Sequence, residues 1–88
     1  MDVDAKTLSS YVGSYALTPK FILVVTMDDG HLEAQATGQS KFTLDAESST
    51  VFFPEAFDAK IEFVKDEAGR VIGLVLHQGG HDVKATKQ

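Results

Sequence analysis

From Tyr11 onward this chain of 88 residues alternates apolar and polar side chains with a period of two, interrupted by glycine-bearing turns. That pattern commits most of its apolar residues to single faces of β-strands. The clearest case flanks Asp29-Gly30, a dipeptide suited to the positive backbone angles of a tight hairpin. Pairing Asp28 with His31 sets Met27 opposite Leu32, Val25 opposite Ala34 and Leu23 opposite Ala36, so both apolar faces fall on one side. A slip of one residue would turn one strand over, so register and burial check each other.

The same reasoning applies further along. Asp66-Glu67-Ala68-Gly69 reads as a four-residue loop pairing Lys65 with Arg70, which sets Phe63 against Ile72, Ile61 against Leu74 and Ala59 against Leu76. Gly79-Gly80 forms the next turn. Pairing Gln78 with His81 sets Leu76 beside Val83 and Leu74 beside Ala85. Between the hairpins, strands are expected around 41–46 and 50–53, with Pro54 ending the second because it cannot donate to a ladder. Tyr11 to Leu17 supplies the first strand. Residues 4–10 are the one helical piece, capped by Asp4, with Leu8, Tyr11 and Val12 at helical spacing.

About eight strands with one apolar face each cannot be covered by a helix of two turns, so the sheet must curl onto itself. The expectation is an all-β fold, an up-and-down antiparallel meander closing into a small barrel, forming one domain over residues 1–88. Closure also removes the edge strands that invite aggregation. Alternating Ala34, Ala36, Ala59 and Ala85 with Phe42, Phe53, Phe57 and Phe63 inside implies a barrel filled mostly by side chains, with at most a small pocket.

Composition narrows the functional classes. A net charge of -5 offers no footprint for phosphate backbones and repels an anionic membrane, so neither nucleic acid nor membrane is an expected partner. The longest apolar run, around Phe21 to Met27, is far short of a bilayer span, and the acidic opening Met1-Asp2-Val3-Asp4 does not read as a signal peptide. With no cysteine, thiolate metal sites and disulfides are impossible.

Several residues invite chemistry. His77 and His81 straddle the Gly79-Gly80 turn with Asp82 across from His77, but neighbouring pairs on a hairpin point to opposite faces. A His77–Asp82 surface ion pair is expected, and no metal site. Asp28, Asp29 and His31 cluster at the first turn, where Asp29-Gly30 is accounted for by turn geometry and nothing desolvates Asp28, so no catalytic role is assigned. Tyr11 and Tyr15 share a strand face around Gly13; they either pack in the core or, with Gln78 and His81, contact a small apolar ligand at the barrel mouth. Ile22 and Val24 fall on the outward phase, as does Val75. They either form an apolar contact surface or simply favour strand geometry.

Tyr11-Val12-Gly13-Ser14-Tyr15, Gly38-Gln39-Ser40-Lys41-Phe42, Phe52-Phe53, Ile61-Glu62-Phe63 and the stretch from Gly73 to Gly80 give the chain a family likeness. It resembles the small domain of unknown function found at the C-terminus of beta-lactamase-related serine hydrolases and peptidases. The resemblance implies a lipocalin-like barrel and a non-catalytic accessory role, no cofactor, and as partner the catalytic domain of a serine hydrolase or a second copy of the chain. In keeping with that role, none of Ser9, Ser10, Ser14, Ser40, Ser48 or Ser49 begins the Ser-x-x-Lys nucleophile motif of the hydrolase domain. The alternative is a mini-barrel that binds a small apolar ligand.

Overall fold

A computed structural model describes residues 2–88. One short helix, α1 (Ala5–Ser10), precedes eight strands: β1 (Gly13–Thr18), β2 (Phe21–Asp28), β3 (His31–Ala36), β4 (Phe42–Ala46), β5 (Val51–Pro54), β6 (Lys60–Lys65), β7 (Val71–Gln78) and β8 (His81–Lys87). Asp4 caps the helix by accepting a hydrogen bond from the Thr7 amide at 2.7 Å. Consecutive strands pair antiparallel, and β8 returns to β1 with Tyr15 opposite Lys87 and Ala16 opposite Thr86. The sheet is therefore a closed barrel, as the count of single-faced strands requires.

Two turns behave as their residues dictate. Asp29 (φ 51°) and Gly30 (φ 81°) both take positive backbone angles, and β2 pairs with β3 in the expected register from Asp28 opposite His31 to Leu23 opposite Ala36. The Gly79-Gly80 turn likewise sets Gln78 opposite His81 and Leu74 opposite Ala85. On the outer side of β7, Gly73 lies so close to the neighbouring strand that a Cβ there would stand 2.5 Å from the Ala85 carbonyl oxygen.

The third hairpin departs from expectation. Phe63 faces Leu74 and Ile61 faces Leu76, two residues away from the register expected. The Asp66 carboxylate accepts hydrogen bonds from the amides of Ala68 and Arg70 at 2.9 Å each, widening the loop to end at Arg70, and a bulge at Ile72 adds the second residue. A shift of two preserves the inward face, so Ile61, Phe63 and Leu74 are still buried, while Ile72 is 47 % exposed. Three other expectations fail. Phe52 is buried and Phe53 exposed, because Phe52 is the residue opposite Ile61. Met27 and Val83, expected on the apolar face, are exposed near the strand ends. Phe57 sits on the connection between β5 and β6, outside any strand.

Strand direction alternates, so the connections after β1, β3, β5 and β7 form one rim and those after β2, β4 and β6 form the other. The helix leads into β1 at this second rim. There Tyr11, the residue that ends the helix, stacks on Phe63 at 4.1 Å between centroids and meets Phe52 edge to face at 5.7 Å. Its hydroxyl donates to the Ser49 carbonyl in the β4–β5 turn, which ties the helix across the barrel. Leu8 and Tyr15 complete this aromatic plug, and Lys87 donates from Nζ to the Ser10 carbonyl at the last turn of the helix.

Candidate functional site

The rim away from the helix is filled differently. Inward positions there carry Ala36 on β3, Pro54 at the end of β5 and Ala59 just before β6, where the opposite rim has tyrosines and phenylalanines. Small side chains at the ends of three strands leave a cavity of about 200 Å³. Its floor is formed by Leu23 and Ile61, both buried. Phe21, Phe42 and Phe57 wall it, the last two in edge-to-face contact at 5.1 Å. Leu17 and Leu76 with two glutamines, Gln39 and Gln78, complete the lining, and no charged residue takes part in it. A second depression, of about 450 Å³, lies beside α1, where Val3, Leu8 and Phe53 meet His31 and Asp45.

Of the residues expected at a ligand site, Gln78 lines the cavity and the other three do not. Tyr11 and Tyr15 are fully buried at the opposite end. Tyr15 donates its phenol proton to the Tyr11 carbonyl at 2.6 Å, and burial, with a smaller contribution from Tyr11, pushes that phenol well above its ordinary range. His81 follows the turn and is exposed. Sequence reasoning placed Ala36 and Ala59 inward but did not join them with Pro54 into a cavity, because their shared level on the barrel emerges only once strands are in register.

On the outer wall, His77 lies between two carboxylates. Its Nδ1 is 2.6 Å from Asp82 on β8, the pair expected, and its Nε2 is 3.3 Å from Glu62 on β6, a partner not foreseen. The hydrogen bond to Asp82, then that to Glu62, raises the imidazole above its usual value. The two carboxylates engage opposite ring nitrogens and so do not converge on one point. Among the described residues no cluster of His, Cys, Asp or Glu is arranged to hold a metal ion. Asp28, Asp29 and His31 are all exposed at their turn.

Ile22 and Val24 are outward neighbours on β2, the first half-buried and the second exposed. Val75 is outward on β7, but β8 and β1 intervene, and the outward row between runs from Gly73 through Thr86 and Ala16 to Ile22. Two shallow apolar areas result. Val75 keeps company with exposed Val64 and Ile72, residues not anticipated there.

Fold and site together define a class: a closed eight-stranded antiparallel barrel, plugged by a helix and aromatics at one end and hollow and apolar at the other. The chain belongs to the family described as Domain of unknown function (DUF3471), whose model matches residues 2–87. It is similar to penicillin-binding protein 4* of Bacillus subtilis (strain 168), with 29% identity over 85 residues. That match takes in 97% of this chain but 19% of the relative, so the chain spans about a fifth of that protein's length. No solved structure matches. Among the described residues no helix is long and apolar enough to cross a membrane.

Proposed function

We propose that this barrel is a non-catalytic accessory domain that works with a beta-lactamase-related serine hydrolase domain, making contact through its outer wall. The observation that carries this reading is the lopsided match: nearly the whole barrel corresponds to about a fifth of a penicillin-binding protein. A segment with its own closed sheet and its own core is an independent folding unit, and it leaves most of the relative for other work. The outward apolar residues Ile22, Val24 and Val75 supply the contact, since isolated apolar areas on a sheet exterior serve association more readily than chemistry.

A chimera tests the proposal. In penicillin-binding protein 4*, the matching segment is deleted or replaced by residues 2–87 of this chain, and labelling by a fluorescent penicillin is followed together with thermal stability. Deletion is expected to lower both. Replacement is expected to restore both, and Ile22→Lys with Val24→Lys in the replacement is expected to undo the rescue. The isolated chain is expected to take no label. Labelling of the isolated chain, or a replacement no better than the deletion, overturns the reading.

A further inference from the structure

We infer that the cavity at the rim away from the helix is a binding site for an uncharged ligand built on one aromatic ring and carrying a single hydrogen-bonding group. The inference stands apart from any hydrolase partner, because it rests on the barrel's interior alone.

Size excludes most ligands first. Drug-sized molecules occupy pockets of roughly 300–1,000 Å³, whereas an apolar cavity of roughly 150 Å³ in another protein takes up benzene. A cavity of about 200 Å³ therefore holds one ring with a small substituent. It does not hold a long acyl chain, because the barrel below the floor residues Leu23 and Ile61 is filled by Tyr15 and Phe63.

Polarity excludes a second group. A carboxylate or ammonium brought into this space would meet no charged side chain, and an unpaired buried charge is strongly disfavoured. Gln39 and Gln78 provide neutral donors and acceptors in the lining, which suits one hydroxyl or carbonyl.

Shape favours a ring over a chain. Phe42 and Phe57 meet at an interplanar angle of 74°, and Phe21 is a third wall, so a planar guest has both ring faces and ring edges to pack against. Phe57 is 42 % exposed on its connecting segment, which lets it swing aside for entry without disturbing a strand. Water fills such a space poorly, since most of the lining offers it no partner.

The test is a titration of the whole chain with p-cresol, followed by amide chemical shifts. Saturable shifts are expected at Ala36, Ala59, Leu76 and the segment around Phe57, with none at Tyr11 or Phe52 in the plugged end. Benzoate is expected to bind at least about tenfold more weakly than p-cresol, as is 1-hexanol. Ala59→Leu fills the space and is expected to abolish binding. Gln39→Ala combined with Gln78→Ala leaves the cavity open and is expected to remove the preference for p-cresol over toluene, which keeps the proposal testable should the filled variant not fold. No saturable shift up to the solubility of p-cresol, equal binding of benzoate, or shifts centred on the plugged end would each overturn it.

Discussion

The two ends of this barrel share their walls and differ in their filling. Under the helix, Tyr11, Tyr15, Phe52 and Phe63 interlock with ring centroids 4.1 to 5.8 Å apart, and the tyrosine hydroxyls are spent on backbone carbonyls. At the other end, alanines and a proline stand at the corresponding depth, and the aromatic residues Phe42 and Phe57 have moved to the lip. A small domain has little stability in reserve, so one end carrying the packing is what allows the other to stay hollow. Stability and binding are thus separated along the barrel axis.

The largest effect expected from that separation is the contrast between two phenylalanines. Phe63→Ala at the plugged end removes a buried ring with three aromatic neighbours and should cost about 3–5 kcal/mol, a large share of what a small domain has. Phe57→Ala at the lip should cost about 1 kcal/mol or less. Urea unfolding measures both, and tyrosine emission is a convenient signal because the chain has no tryptophan and both tyrosines lie in the plug. Equal losses would break the comparison.

A hydroxyl comparison is expected to give a smaller difference. Tyr15→Phe leaves the Tyr11 carbonyl without its buried donor and should cost about 1–3 kcal/mol, whereas Gln39→Ala at the exposed lip should stay within about 0.5 kcal/mol. The phenol adds a pH signature. Its value is raised in the folded state, so its contribution is complete below the unfolded value of 10 and drains away as pH climbs beyond it. In Tyr15→Phe the alkaline decline should be shallower, as read from urea midpoints across that range.

How much of this was legible beforehand differs along the chain for physical reasons. Two-residue turns dictate register directly, which is why the pairings around Asp29-Gly30 and Gly79-Gly80 were readable to the residue. The loop from Asp66 to Arg70 was not, because the Asp66 side chain reorganises it and the bulge at Ile72 compensates. Burial survived that error only because a shift of two restores the same face. Phe52 and Phe53 have neighbours that do not break their symmetry, so which of them faces inward was decided by pairing with the adjacent strand β6. Strand phase placed Gln78 and His81 alike at the mouth, and of the two Gln78 lines the cavity. Tyr11 and Tyr15 could not be assigned to either end, since that depends on which rim the helix closes. The cavity was the least readable feature: it is a deficit of volume summed over Ala36, Pro54 and Ala59, which come from the ends of three strands and are ordinary one by one.

The smallest expected effect lies on the outer wall, where His77 bridges Glu62 and Asp82 across three strands. Lys60 stands opposite it on β6 but is engaged with Glu47 at 2.8 Å, so the carboxylates dominate what the imidazole feels. They raise its value above 6.5 in the folded state, chiefly through the Asp82 hydrogen bond. The favourable contribution is therefore complete below 6.5 and is lost as pH rises through the raised folded value. Its size is small, because the imidazole side chain is 37% exposed and water screens both pairs. The melting temperature should fall slightly between about pH 6 and pH 8 in the native chain. The fall should disappear in His77→Gln and shrink in Asp82→Asn more than in Glu62→Gln, matching the shorter contact. p-Cresol binding should be indifferent to all three, because the bridge lies on the outer face of β7 while Leu76 and Gln78, which flank His77, line the cavity from the inner face. A bridge variant that loosens the cavity would show instead that the hollow end depends on its outer wall, and the division of labour between the two ends would have to include the exterior.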